Sequence, residues 1–421
     1  MDTDISKQTG LVSVVIPTYN YGEFITDALN ALKNQTYSAI EVIIVDDGST
    51  DGTITIVNNW RLNNMHIFKN FLYLKLPRNC SSSWSLNIGF YQARGEFIVI
   101  HDADDFSHPE KIKTQVNWLR EHPACAAVGT NFNVVNINKQ QVFLPGWLNF
   151  NRQQITVNYK EKSNHCVCFG TLMFRKDILK NVAGVKKIAE IRNDIIYIGE
   201  LINYGYIVDN INSILFSVRL HYKQKTGPKD FQKASFNIFP QRVSIVIPVR
   251  YIGSILEIMY RIAVQSYQEI EVIIIDDTGQ NETEILMNEW KSTYANLNPG
   301  GIIKDLIYFR LPVEAGNPWL YNIGSYLAKG KYIFFSGNNS LIDKDELLKQ
   351  ARILDNNWPY SGIAANVSGD KLPLKWNNDF LHSDPNKIND ISGNRYTSVM
   401  IKKGVIDRTA GLAKGFRLGM C

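Results

Sequence analysis

The chain opens MDTDISKQTG and has no run of basic then apolar residues there, so no secretory signal is expected. No apolar stretch approaches the roughly 18 to 20 residues that a spanning helix requires, which leaves peripheral contact as the expected form of any membrane association. Cysteine is scarce: five residues, an odd number, are spread over 421 positions. That excludes a disulfide framework and predicts a reducing, cytoplasmic setting, with the inner face of the membrane as the peripheral alternative. Neither sign of charge dominates, because 45 Lys and Arg against 40 Asp and Glu leave a net +5. Such an excess helps to hold an anionic ligand or a phospholipid surface but lacks the density of a nucleic-acid binder, so no nucleic-acid partner is expected.

What is present in quantity is apolar residues, at 45%, and length enough for two packed domains of about 200 residues each. The second half restates the first at an offset of about 230 residues. Val12-Ser13-Val14-Val15-Ile16-Pro17 returns as Val243-Ser244-Ile245-Val246-Ile247-Pro248. Gln35-Thr36-Tyr37 and Ile44-Val45-Asp46-Asp47 return as Gln265-Ser266-Tyr267 and Ile274-Ile275-Asp276-Asp277. Asn87-Ile88-Gly89 matches Asn322-Ile323-Gly324, and Ala93-Arg94-Gly95-Glu96 matches Ala328-Lys329-Gly330-Lys331. Between the copies, polar chain broken by Gly227-Pro228 reads as a linker, dividing the protein into residues 1–226, a linker at 227–240, and residues 241–421.

Within each copy a short β-branched run, an amphipathic stretch of helical length and a second β-branched run form a βαβ unit, which implies a parallel sheet with helices on its faces. In the first copy residues 13–17 and 41–45 read as neighbouring buried strands, 21–34 as the crossover helix and 97–101 as a third strand. Ligands of such sheets sit beyond the carboxyl ends of the strands. Three of those ends carry chemistry-bearing side chains: Thr18-Tyr19-Asn20, Asp46-Asp47-Gly48-Ser49-Thr50-Asp51 and Asp102-Ala103-Asp104-Asp105.

In Asp102-Ala103-Asp104 two carboxylates stand one residue apart at the end of an apolar strand, where their repulsion is costly without a cation. Oxygen donors of this kind suit Mg²⁺ or Mn²⁺ held jointly with substrate phosphates. Taken alone, the triplet reads sooner as a solvated acidic turn capping the helix near Pro109 than as a metal site.

The ordered set Ile16-Pro17-Thr18-Tyr19-Asn20, Val45-Asp46-Asp47-Gly48-Ser49-Thr50-Asp51, Ala93-Arg94-Gly95-Glu96 and Asp102-Ala103-Asp104-Asp105 resembles the family 2 glycosyltransferases of the GT-A fold, over residues 11 to 226 and, weakened, over 241 to 421. The resemblance implies two tandem Rossmann-like GT-A domains. It also implies inverting transfer of a sugar from a nucleotide-diphosphate donor, commonly a UDP-sugar. By the same resemblance Tyr19 and Asp47 hold the base, with Pro17 and Arg94 also on the donor side. Asp102 faces the ribose and metal, and Asp104 ligates the Mn²⁺ or Mg²⁺. Phe169-Gly170-Thr171-Leu172-Met173-Phe174-Arg175 resembles the family's acceptor-side strand, and the carboxylate expected after it falls at Asp194, with Asn193 where the family has Glu. An inverting displacement needs one base, a role expected of Asp194 with Glu190 in reserve, near an acceptor drawn to the 131–168 segment. The rival for Asp194 is a helix N-terminal residue favouring the dipole.

Arg219-Leu220-His221 resembles the segment whose His reaches the metal or diphosphate, with Lys223 and Lys225 beside it. His165-Cys166-Val167-Cys168 lacks a second pair of ligands for structural zinc and reads as buried thiols. The acceptor expected is a glycan or lipid-linked glycan of surface polysaccharide synthesis. The alternatives are a peptide or protein acceptor, O- or S-linked, and a non-catalytic scaffold. In the second copy Gly337-Asn338-Asn339 stands opposite Asp102-Ala103-Asp104, and Cys421 stands opposite Asp194. That copy is therefore expected to be degenerate and truncated, and to support packing, a homodimer or an acceptor rather than catalysis.

Overall fold

Alternating β-branched and amphipathic stretches produce, in order, β1 (Gln8–Thr18), α1 (Gly22–Lys33), β2 (Ile40–Asp46), α2 (Thr53–Asn64), β3 (Asn70–Lys75), α3 (Ser82–Gln92), β4 (Gly95–Ile100), β5 (Phe106–Ser107), α4 (Lys111–Glu121), β6 (Cys125–Val135), β7 (Gln141–Phe143), α5 (Arg152–Lys160), β8 (Met173–Arg175), α6 (Asn193–Asn203) and β9 (Ile207–Arg219). The computed structural model describes residues 8–144, 150–161, 165–182, 184–187, 193–223, 239–249, 255–298, 300–312, 317–336, 343–356, 360–366, 371–375 and 396–411. Two compact units divide the chain, residues 1–234 and 235–421.

In the first unit the sheet runs β3-β2-β1-β4-β8-β6-β9-β5, with β7 added to β6. Strands β3, β2, β1 and β4 are mutually parallel, and β8 turns antiparallel against β4. All seven residues of β2 are buried, as expected of a central strand covered on both faces. Helix α1 covers one face with Phe24, Ile25, Ala28, Leu29 and Leu32, a single apolar stripe at helical spacing. On β6 the long β9 lies parallel, carrying the chain back toward β5 and the strand ends.

The second unit repeats the plan with β10 (Phe239–Val249), α7 (Ile255–Ala263), β11 (Ile270–Asp276), α8 (Glu282–Leu297), β12 (Ile303–Arg310), α9 (Asn317–Leu327), β13 (Gly330–Ser336), α10 (Glu346–Asn356), β14 (Tyr360–Asn366), β15 (Lys371–Lys375), β16 (Tyr396–Lys402) and α11 (Lys403–Thr409). Its sheet, β12-β11-β10-β13-β16-β14-β15, has the same parallel half and the same antiparallel turn at β13 and β16. The mainly parallel α/β architecture expected of both copies is the one observed. Among the described residues no helix is long and apolar enough to cross a membrane.

Candidate active site

Because β1, β2 and β4 are parallel and nearly in register, with Thr18 beside Asp46 and Val15 beside Ile100, the residues following each emerge along one edge. Half-buried Pro17 lies beside Val45 in that register, and Tyr19 follows one residue after the strand. Asn20 takes a left-handed conformation at φ 58° and laces two of the strand ends together. Its side-chain oxygen accepts from Thr50 N at 2.9 Å, and its own N–H donates to Ser49 Oγ at 2.9 Å. The two aspartates after β2 divide the work. Asp46 accepts from Ser49 N at 2.7 Å and from the Tyr73 hydroxyl, which makes it a turn cap. Asp47, 2% exposed, accepts from Cys80 N at 2.7 Å on one oxygen and Ser81 N at 3.0 Å on the other, which holds the loop before α3 against the site.

At the end of β4 three carboxylates crowd within four residues. Asp104 and Asp105 are buried and Asp102 is half-buried. Burial first, then the neighbouring Asp104 and Asp102, pushes Asp105 well above the usual carboxylate range, while Arg219 N donates to it at 2.8 Å. The end of β9 brings in His221, whose Nε2 lies 2.9 Å from Asp104 Oδ2. Its Nδ1 accepts from Lys223 N at 3.2 Å, so the neutral ring carries its proton on Nε2 and donates it to Asp104. The ring is fully buried against Phe24, centroid to centroid 4.2 Å, and meets Tyr21 edge-on. The Tyr21 hydroxyl is pushed up by burial and then by Asp104, Asp102 and Asp105, which marks the reach of the acidic cluster.

Beneath the cluster lies a residue that sequence reasoning missed. Lys111 is fully buried, donates to Gly170 O at 3.1 Å and sits 4.5 Å from the Phe216 ring centre. Burial lowers its ammonium to about 7, against the opposing pull of Cys168, Asp102 and Asp105. The loop it holds is close-packed on the site: a Cβ at Gly170 would come within 2.5 Å of Asp102 Oδ2. A signal for Lys111 was available, since a lysine opening a helix opposes the macrodipole and so needs another reason to be there. His101, also buried, is lowered to about 3 by burial and then by Lys111.

On the acceptor side Asp194 stands in the first turn of α6, and Ile195 N donates to its Oδ1 at 2.9 Å. His165 Nε2 lies 3.3 Å from its Oδ2, a partner the sequence analysis passed over by weighing His165 only with the adjacent cysteines. Those cysteines carry free thiols, Cys166 buried and pushed up to about 11 by burial.

Arg94 is not brought to this edge. It precedes β4 at the opposite, amino end of the strand, where its N–H donates to Glu41 at 2.7 Å and its Nε lies 3.3 Å from the same carboxylate. A donor-binding role is corrected to a structural one, and Lys329 repeats the backbone contact with Glu271 in the second unit. Lys223 is likewise engaged, 3.3 Å from Glu23. Glu190, Lys225, Gly337, Asn338, Asn339 and Cys421 lie outside the described residues, as does most of the 227–240 segment.

The side chains present fit a divalent ion shared with a diphosphate. Among the described residues no group of three His, Cys, Asp or Glu is arranged to hold a metal by itself. Asp104 and His221 nevertheless stand at 2.9 Å, close to the about 3 Å between adjacent ligands of an octahedral ion with bonds of roughly 2.1 Å; an ion there would take the place of the Nε2 proton, with the ring proton moved to Nδ1 and the contact from Lys223 N given up. Mg²⁺ and Mn²⁺ are commonly held in this way, by few protein ligands with phosphate oxygens completing the shell.

The profile of Glycosyl transferase family 2 matches residues 13–183 and again 244–415, and the chain belongs to that family. An uncharacterised glycosyltransferase of Haemophilus influenzae is 31% identical over 137 residues, 32% of this chain and 52% of that protein. The poly(ribitol-phosphate) β-N-acetylglucosaminyltransferase TarS of Staphylococcus aureus is 36% identical over 116 residues, 26% of this chain and 19% of TarS. The chain thus spans about half or less of the length of these relatives. Among solved structures, TarS in complex with UDP-GlcNAc aligns at 21% identity and TM-score 0.39 over 51% of this chain and 60% of that one. A Pyrobaculum calidifontis mannosyltransferase with GDP-Man and Mn²⁺ aligns at 22% and 0.40 over 50% and 57%. Likenesses at that level say nothing of this chain's own ligand.

Proposed function

We propose that the first unit transfers a sugar from a nucleotide-diphosphate donor, with UDP-sugars the first candidates, to a glycan or lipid-linked glycan acceptor with inversion at the anomeric carbon. The observation that carries this reading is the meeting of Asp104 with His221 beside Asp102, on the sheet edge that also bears Tyr19 and Asp47. Tyr19 and Asp47 hold the base. Asp47 would accept a ring N–H beside the contacts it already takes from Cys80 and Ser81. Asp104 and His221, with Asp102 beside them, would hold Mn²⁺ or Mg²⁺, which supplies Lewis-acid stabilisation of the leaving diphosphate. Asp194 accepts the acceptor's proton while the acceptor oxygen bonds to the anomeric carbon. The bond from that carbon to the diphosphate oxygen breaks, and its electron pair leaves with the nucleoside diphosphate. The second unit is assigned no catalytic step.

The test is release of nucleoside diphosphate by the purified full chain from a panel of nucleotide sugars, with Mn²⁺ and with EDTA, and proton NMR of the product's anomeric configuration. Metal-dependent release with inverted configuration is expected. Tight donor binding without turnover, across a panel of glycan, lipid-linked and peptide acceptors, would overturn the reading in favour of a scaffold.

A further inference from the structure

We propose that His165 and Tyr159 form a relay that positions the Asp194 carboxylate for proton transfer, so that the acceptor side is organised by three residues rather than one. The inference rests on the reading of Asp194 as the base. Tyr159, on α5, is 3% exposed, and its hydroxyl lies 2.9 Å from His165 Nδ1. An ionised carboxylate can only accept, so the proton of neutral His165 belongs on the nitrogen beside Asp194, and Nδ1 accepts the phenol's proton. The ring proton of neutral His165 therefore sits on Nε2, which lies 3.3 Å from Asp194 Oδ2.

The same accounting assigns the roles. Both nitrogens of His165 are committed, one to Tyr159 and one to Asp194, so the imidazole itself has no atom left to receive an acceptor's proton. Asp194 keeps a lone pair on each oxygen and is 23% exposed on its side chain, against 14% for His165. His165 is thus a positioning residue. An Asp serving only to start α6 would need no more than the contact from Ile195 N to its Oδ1. The second contact, on Oδ2, holds the carboxylate in one rotamer, and displacement of a reacting group by about 1 Å can cost about 10²-fold in rate.

The experiment uses the full-length chain with UDP-N-acetylglucosamine and other UDP-sugars plus Mn²⁺, water serving as acceptor, with UDP release read for kcat and KM and donor binding read by calorimetry. Asp194→Asn should lower kcat by about 10² to 10⁴. His165→Leu should lower kcat by about 10- to 100-fold with donor KM and affinity unchanged, and Tyr159→Phe by less. His165→Gln, whose amide N–H can replace the Nε2–H, should recover most of the loss. Full turnover by Asp194→Asn would refute the base itself. Loss in Asp194→Asn with normal kcat in His165→Leu would refute the relay alone. If His165→Leu does not fold, the other two variants decide: a His165→Gln kcat as low as that of Asp194→Asn, or a Tyr159→Phe kcat equal to the parent's, overturns the relay.

Discussion

The two units hold the amino ends of their sheets in the same way and differ beneath the carboxyl ends. At the amino end Ser13 Oγ donates to Glu41 at 2.5 Å and accepts from Gly95 N at 2.8 Å; Ser244, Glu271 and Gly330 repeat both contacts at the same distances. The first aspartate after the second strand is also kept as a cap, Asp46 with Tyr73 and Ser49, Asp276 with Tyr308 and Thr278. Gln35 and Gln265 brace the following helix alike, donating to His108 O at 2.8 Å and Asp343 O at 2.7 Å. That matched bracing puts Lys111, the first residue of α4, opposite Glu346, the first residue of α10.

In the first unit a buried ammonium lies under the acidic strand end. In the second, where sequence alignment puts Gly337-Asn338-Asn339, the position is a carboxylate that accepts from Ser398 Oγ at 3.1 Å. A buried cation is costly unless compensated. Its loss in the copy that lost the carboxylates argues that Lys111 belongs to the acidic site and not to the scaffold. Contacts kept in both copies serve the shared fold, and the charges present in one are those the proposed chemistry uses.

The largest expected effect is that of Asp104→Asn with the second unit unaltered. Losing the Lewis-acid site, worth several kcal/mol, should lower metal-dependent turnover by about 10³-fold or more while circular dichroism stays native. Metal-dependent transfer surviving at parental rates would show that the second unit catalyses and would break the comparison. Next is the exchange Lys111→Glu, which gives the first unit the residue of the second. A fourth carboxylate beside Asp102 and Asp105 should destabilise that unit by about 3–5 kcal/mol, read from hydrogen exchange in β4 and α4. Unchanged protection there would remove Lys111 from the account.

A pH measurement sharpens the same point. Lys111 is lowered to about 7 in the folded chain, so from about pH 7 up to the ordinary lysine range the unfolded chain binds a proton that the folded chain does not. Its contribution should therefore raise stability with pH across that window, by at most about 1.4 kcal/mol per pH unit, and Lys111→Met should remove the rise. Urea unfolding at several pH values checks it. The smallest effect is expected from Ser398→Ala. It removes contacts to Glu346 and Gln350, at a cost of about 1–2 kcal/mol in the second unit, and should leave turnover unchanged.

The repeat, the parallel strands and the three strand-end clusters were legible because each is local: β-branched runs, helical periodicity and turn residues act over a few positions of chain. Asp102, Asp104, Tyr19 and Asp47 could be placed at one edge from those elements alone. Arg94 was misplaced because proximity to β4 in sequence does not say which end of the strand a residue occupies relative to the ligand edge. His165 was passed over because its partners, Tyr159 and Asp194, come from two different helices, and nothing in the spacing of His165-Cys166-Val167-Cys168 announces either.

By itself the sequence determined two α/β copies and the strand ends where chemistry can collect, since backbone preference and burial pattern are properties of short segments. Only the tertiary structure decided that β9 returns His221 to Asp104, that Arg94 faces Glu41, and that Lys111 lies buried beneath the carboxylates. Those facts depend on which distant segments pack together, and packing is settled by the whole core rather than by any stretch of it.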